Sequence, residues 1–324
     1  MRVPSPLTRP HSQAESKPPS QYRDNLAWDS KAEMNYRTLG NTEIKVSELA
    51  LGTWQFRGGV EALRAGIDLG ATFLDTAESY GCEDVVGEAI AGRREQIFLA
   101  SKVSPRHFRA ADLIRAAEGS LKRLKTDRID LYQLHWPNYT VPLAETMAAM
   151  EKLVDSGKVR YIGLSNFSSA ETQVAQALLG ETRLVSNQVR YSVLDRTIEA
   201  ELLPYCQAQQ ISVLAFSPLG NGMARLRACD PEDVLGAVAA AEGKTRAQVA
   251  LQWCLAQPSV IVIFKADKVE HVRENCAASE GRLLPEHKQR LDVEIRAKSR
   301  NRVERFARRV ARRISQYAGR NLCA

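Results

Sequence analysis

Eight short apolar, β-branched runs recur along the chain, at residues 49–54, 72–76, 97–103, 129–135, 159–165, 184–191, 211–217 and 260–265. Between them the apolar positions take helical spacing. Leu113, Ala117, Leu121 and Leu124 recur at i, i+4, i+8 and i+11, and Leu143, Met147, Met150 and Val154 at i, i+4, i+7 and i+11. Buried strands alternating with amphipathic helices predict an α/β chain with a parallel sheet. Eight such units predict a (β/α)8 TIM barrel, because closure leaves no strand edge exposed. An open doubly wound sheet of the dinucleotide-binding kind would carry G-x-G-x-x-G after an early strand, and none is present. Upstream, residues 36–47 hold the turn pair Gly40-Asn41 between extended runs, which predicts an N-terminal β-hairpin.

The two ends of the chain break the pattern. Residues 1–33 are rich in Pro, Ser, Gln and charge without periodicity, and are expected to form a disordered N-terminal tail, leaving residues 34–294 for the barrel. The net charge of +7 is carried by the other end: residues 295–324 hold ten Lys or Arg against one acid, a net +9, which leaves −2 for the rest. A near-neutral globular part argues against nucleic acid as a partner. In the extension Val303, Phe306, Val310, Ile314 and Tyr317 fall at i, i+3, i+7, i+11 and i+14 with arginines on the other faces. This predicts a basic amphipathic C-terminal helix. It is expected to pack on the barrel or on a second subunit with its arginines solvated; peripheral contact of residues 296–324 with an anionic membrane surface or an acidic protein is the alternative. Oligomeric state stays open.

With 44% hydrophobic and 26% charged residues and no apolar stretch near the roughly 20 residues of a membrane span, a soluble globular protein is expected. Six cysteines without a C-x-x-C pair, and no His at zinc-ligand spacing, predict neither a disulfide framework nor a metal site. A reducing, cytoplasmic compartment is expected.

In a barrel the chemistry is built where the strands end. Asp75 ends the second run, Tyr80 follows in Glu-Ser-Tyr-Gly, Lys102 ends the third run, and His135 ends the fourth. These four come from three adjacent strands at one mouth. A phenol of ordinary pKa about 10 is a poor acid near neutrality unless a neighbouring cation stabilises its phenolate. Lys102 can be that cation, Asp75 can hold Lys102 charged, and His135 can orient a carbonyl oxygen toward Tyr80.

Four blocks then carry a resemblance. They are residues 70–81 (Gly-Ala-Thr-Phe-Leu-Asp-Thr-Ala-Glu-Ser-Tyr-Gly), 131–137 (Leu-Tyr-Gln-Leu-His-Trp-Pro), 157–167 (Gly-Lys-Val-Arg-Tyr-Ile-Gly-Leu-Ser-Asn-Phe) and 187–191 (Asn-Gln-Val-Arg-Tyr). In this order and at strand ends, they resemble the aldo-keto reductase family, in its short-loop bacterial form. The resemblance implies an NADP(H)-dependent oxidoreductase with Asp75, Tyr80, Lys102 and His135 as catalytic tetrad. It further implies that Ser165, Asn166 and Gln188 bond the nicotinamide carboxamide, and that Phe216 stacks on the ring where the family commonly has Tyr. Ser217, Pro218 and Leu219 would run beside the pyrophosphate. Lys265 would meet the 2′-phosphate, while Glu274 and Asn275 would meet the adenine. The chain departs from the family's pattern at Ala266, where Ser or Thr is common, and at His271, where Arg is common. Losing a hydroxyl and a guanidinium weakens the hold on a phosphate dianion, so NAD(H) is a possible second cofactor.

Trp54 and Trp136 match positions that line the family's substrate pocket. Short connections after Trp54 and from Asn221 to Cys229 predict an open pocket without a long lid. The implied reaction is reduction of aldehydes or ketones to alcohols, with small aldehydes and dicarbonyls such as methylglyoxal as the substrate class and Tyr80 as general acid. A regulatory or scaffold protein that binds nicotinamide and turns over incidentally is the rival reading. The intact tetrad argues against it and the basic extension argues for it.

Overall fold

The computed structural model describes residues 34–296 and 310–311. The tail assigned to residues 1–33, and all of the 295–324 extension except Ile295, Arg296, Val310 and Ala311, lie outside the described residues.

Strands β1 (Tyr36–Thr38) and β2 (Lys45–Ser47) pair antiparallel, with Arg37 opposite Val46. The remaining eight are β3 (Leu49–Gly52), β4 (Phe73–Asp75), β5 (Phe98–Val103), β6 (Ile129–Leu134), β7 (Val159–Ser165), β8 (Leu184–Arg190), β9 (Ser212–Phe216) and β10 (Val260–Phe264). They follow one another around a closed parallel barrel in which β10 returns to pair with β3. Every run read from the sequence contains a strand; Asp75 ends β4, Lys102 lies one residue before the end of β5, and His135 directly follows β6.

Among the described residues eleven helices flank the barrel: α1 (Gly59–Asp68), α2 (Glu83–Ala89), α3 (Ala110–Leu124), α4 (Leu143–Asp155), α5 (Ser169–Ala177), α6 (Leu202–Ala208), α7 (Met223–Ala228), α8 (Val234–Ala241), α9 (Arg246–Leu255), α10 (Val269–Cys276) and α11 (Pro285–Glu294). The stripe on α3 is buried as its spacing predicts, with Leu113, Ala117, Leu121 and Leu124 all in the core. One expectation is corrected. The segment from Asn221 to Cys229, expected as a short loop, carries α7, a six-residue helix whose Leu226 is buried at 1% exposure. Six residues offer too few turns for a helical period to show in the sequence.

The barrel strands are almost wholly buried on both sides, which is why they read as largely apolar runs. Along β5, Phe98 and Ala100 face the barrel interior with Phe73, Leu131, Leu214 and Ile261, and Leu99 and Val103 pack beneath the helices. The hairpin closes the end where the strands begin. Leu39 and Val46 are buried in the interior cluster, and Gly40 lies against β8. That glycine has φ +53°, and a Cβ on it would approach the Val185 carbonyl oxygen to 2.4 Å, so conformation and space both require Gly. With that end sealed, the mouth at the strand C-termini is the open one. Ile295, assigned above to the extension, is buried at 2% exposure and belongs to the core.

Candidate functional site

Alternation along a strand decides which side chains enter the mouth. Asp75 is the last residue of β4, and Lys102, the fifth residue of β5, shares the interior face with Phe98 and Ala100. Lys102 is fully buried and Asp75 is 3% exposed; the ammonium donates to Asp75 Oδ2 at 2.6 Å and to the Thr76 carbonyl at 2.9 Å. Its third bond goes to the Tyr80 hydroxyl at 3.3 Å. An ammonium only donates, so the Tyr80 oxygen is the acceptor and its own proton stays available to another partner.

Tyr80 is delivered by a single 3-10 turn, Glu78–Tyr80, closed by Gly81 at φ 68°. The turn is pinned to the strand that carries Lys102: the backbone N–H of Ser104 donates to Glu78 Oε1 at 2.5 Å, and His107 Nδ1 lies 3.0 Å from the same oxygen. His135 follows β6 directly, its N–H bonded to the Val103 carbonyl at 3.1 Å. Its Nε2 is 3.4 Å from the Tyr80 oxygen, and the two rings meet edge to face at 5.4 Å. The four residues named from sequence are thus one contiguous cluster.

The electrostatics differ in one respect from the expectation. Lys102 lies against Tyr80 as expected, but burial raises the phenol above its ordinary 10 and outweighs the downward pull of the lysine. Tyr80 is therefore held in its protonated form. Burial would lower Lys102, and the Asp75 carboxylate and the Tyr80 oxygen overcome that and hold it charged. Burial first, then the Lys102 charge, lower His135 to about 3, so its imidazole is neutral.

Asp75 has a second oxygen, whose partners are not apparent from sequence. Oδ1 accepts from Gln188 Nε2 at 2.7 Å and Gln133 Nε2 at 3.2 Å. Gln133 escaped the sequence reading, although it lies two residues before His135 and period 2 puts it on the same face. Ser165, at the end of β7, donates its hydroxyl to the Gln188 carbonyl at 3.0 Å. Asn166, at φ 64°, donates from Nδ2 to the His135 carbonyl at 3.0 Å. The three residues matched to a carboxamide therefore join the tetrad in one bonded network.

From there a strip of chain leads outward. Phe216 ends β9, half-buried, with the Arg190 guanidinium 5.5 Å from its ring centre. Ser217 takes φ 53°, Pro218 is buried, and Leu219 reaches a groove of about 870 Å³ between α8, α9 and α10. Lys265, His271, Glu274 and Asn275 line that groove. Arg227, Lys244, Arg246 and Lys268 also line it, and they were not singled out. Lys268 follows β10 on the connection to α10, whereas Arg227, Lys244 and Arg246 come from elements that only the folded barrel brings to it. A groove of this volume lined by several cations suits a phosphorylated nucleotide. Trp54 stands 53% exposed after β3, which excludes it from the core, and Trp136 is half-buried beside His135. Among the described residues no helix is long and apolar enough to cross a membrane, and five cysteines are free thiols.

Known proteins share this arrangement. A family model described as the aldo/keto reductase family matches residues 48–293. A methylglyoxal reductase of Escherichia coli strain K12, YeaE, is 42% identical over 248 residues, spanning 74% of this chain and 87% of that protein. The aldo-keto reductase YhdN of Bacillus subtilis is 38% identical over 213 residues, 59% of this chain and 63% of that protein. Among solved structures, an aldo-keto reductase from Klebsiella pneumoniae in complex with NADPH superposes with a TM-score of 0.76 at 40% identity, covering 82% of this chain and 98% of that one. A family match over most of the chain, with relatives near 40% identity and a neighbour that holds NADPH on the same barrel, makes this chain a member of the aldo/keto reductase family, an NADP-dependent oxidoreductase of carbonyl compounds.

Proposed function

We propose that the chain reduces small aldehydes and 1,2-dicarbonyls, methylglyoxal among them, with Tyr80 as the general acid. The observation that carries this reading is the position of the Tyr80 hydroxyl. It accepts from Lys102 Nζ at 3.3 Å and lies 3.4 Å from His135 Nε2, so a carbonyl oxygen entering the mouth can meet both the phenol and the imidazole. The bound dinucleotide supplies the hydride to the carbonyl carbon. Tyr80 gives its proton to the oxygen, and the phenolate left behind is stabilised by the Lys102 ammonium that Asp75 holds charged. Neutral His135 orients the carbonyl without competing for that proton. Ser165, Asn166 and Gln188 would hold the nicotinamide end, Phe216 would stack on it, Ser217, Pro218 and Leu219 would follow the pyrophosphate, and Lys265, His271, Glu274 and Asn275 would hold the adenosine end.

The substrate class rests on the open mouth beside Trp54 and Trp136 and on the 42% identity to a methylglyoxal reductase. The reducing compartment expected from the cysteine pattern suits this chemistry. Loss of NADPH absorbance with methylglyoxal and a panel of aromatic aldehydes tests the proposal. Tyr80→Phe is expected to lower kcat about 10²–10⁴-fold, the usual value of a positioned proton donor, with the cofactor Kd unchanged. A variant that turns over within tenfold of wild type would refute the role of Tyr80. Tight cofactor binding without turnover on any carbonyl would favour the regulatory reading.

A further inference from the structure

The groove at β10 contains a carboxylate that the proposed cofactor contacts do not use. Lys265 directly follows β10, and its ammonium donates to Asp267 Oδ2 at 2.5 Å. The other oxygen of Asp267 accepts the backbone N–H of Arg57 at 2.9 Å, across the gap to the turn before α1. The backbones of the two segments also touch, since a Cβ on Gly58 would come within 2.6 Å of the Asp267 carbonyl oxygen. Asp267 is thus held from two sides and cannot swing out of the groove without giving up the Arg57 bond. Burial would raise its carboxyl, but the Lys265 and Arg57 contacts outweigh this and keep it below its ordinary value, so it is charged near neutrality. The second residue matched to the phosphate is compromised in a similar way: His271 Nδ1 lies 3.3 Å from Glu274 Oε2.

We infer that Asp267 is a specificity-determining residue of the cofactor groove, which by occupying Lys265 and fixing a negative charge beside it lowers the preference for a 2′-phosphate over a 2′-hydroxyl. The inference rests on the proposed role of Lys265 at the adenosine end. A phosphate dianion that takes Lys265 must displace this carboxylate or lie beside it. A 2′-hydroxyl meets no such repulsion and can donate to it. A carboxylate roughly 5 Å from a phosphate dianion, screened nearly as in bulk water at this partly exposed site, changes affinity on the order of tenfold. Asp267 therefore lowers the preference for NADPH over NADH more directly than the missing Ser or Thr at Ala266 does.

The test is calorimetric titration of the full chain with adenosine 2′,5′-bisphosphate and with adenosine 5′-monophosphate, which differ only by the 2′-phosphate. Asp267→Asn keeps an oxygen for the Arg57 N–H and removes the charge. It is expected to tighten the bisphosphate about tenfold and to leave the monophosphate within twofold, with Asp267→Ser giving the same direction should the asparagine variant misfold. Equal changes for both ligands, or weaker bisphosphate binding, would overturn the inference. Lys265→Met separates the two levels of the argument. If it leaves bisphosphate affinity unchanged, the reading of Lys265 fails and this inference falls with it; if it weakens bisphosphate alone while Asp267→Asn shows no selective gain, the reading of Lys265 stands and only the role of Asp267 is lost.

Discussion

The Asp75–Lys102 pair offers a perturbation in which stability and catalysis should separate. The two groups are 3% and 0% exposed and 2.6 Å apart. Asp75→Asn keeps the side-chain shape and an amide oxygen for Gln188, but leaves the Lys102 ammonium with only the Thr76 carbonyl and the Tyr80 hydroxyl. A buried charge stripped of its counter-ion costs about 3–5 kcal/mol. Release of the proton does not evade that cost: bringing a lysine of ordinary pKa about 10.4 to its neutral form at pH 7 requires about 4.6 kcal/mol at 1.36 kcal/mol per unit. Either way Asp75→Asn should lower the urea midpoint strongly and the Tm by roughly 6–10 °C. Adding Lys102→Met, of similar length and without charge, should return stability to within about 1.5 kcal/mol of wild type. The double-mutant cycle should thus show an interaction of at least about 2 kcal/mol by urea unfolding. Turnover should not return with stability, because Tyr80 in the double variant has lost the cation that stabilises its phenolate. Single-variant effects that simply add within about 0.5 kcal/mol would refute the account of the pair. So would a double variant with turnover within tenfold of wild type.

Two further predictions concern protons. With His135 lowered to about 3 and Tyr80 raised above 10, the rate of carbonyl reduction should be flat from pH 5 to 9. It should fall only on the alkaline side as Tyr80 loses the proton it must donate, and a limb near pH 6–7 in a kcat profile that disappears in His135→Gln would contradict this. Away from the mouth, Glu242 ties the end of α8 to α11, accepting from His287 Nδ1 at 2.7 Å, the Leu284 N–H at 3.0 Å and Lys244 Nζ at 3.1 Å. Burial would raise its carboxyl, but these bonds outweigh burial and lower it from 4.5 to about 2. The stability it contributes is present above pH 4.5 and is lost as pH falls toward 2, so Glu242→Gln should cost about 1–3 kcal/mol at pH 7 and little at pH 2, read from urea midpoints at both.

The barrel was legible because its strands are buried on both faces and so stand out as apolar runs whatever their neighbours. The clustering of Asp75, Tyr80, Lys102 and His135 was legible because they lie near strand ends, where a polar residue interrupting an apolar run is conspicuous. Partnerships between distant segments left no such trace. Glu48 is fully buried and looks like an ordinary surface acid in sequence, yet it accepts from Arg37 at 3.0 Å and Arg282 at 2.8 Å. Asp130 likewise is buried between Arg94 and Arg160, at 2.8 Å and 3.1 Å. Gln133 was passed over for a related reason, since an amide inside an apolar strand gives no hint that an aspartate from β4 will need its N–H. Periodicity reports which face of an element is buried, and only closure of the barrel decides which buried polar atoms meet.

The groove beside β10 is less legible in sequence than the cluster around Tyr80, for the same physical reason. Lys265 could be placed from its position after β10, but what it can bind depends on Asp267, and how firmly Asp267 is held depends on a backbone N–H from Arg57, 210 positions away in the chain. A cation's value to a ligand is set by the carboxylate it must leave, and that competition exists only in the folded molecule. Binding preference in this groove should therefore follow charge changes at Asp267 more closely than restoration of a hydroxyl at Ala266. That ordering can be measured by comparing Asp267→Asn with Ala266→Ser in the same titration. A larger selective gain from the serine would show that missing donors, not a competing acceptor, set the preference.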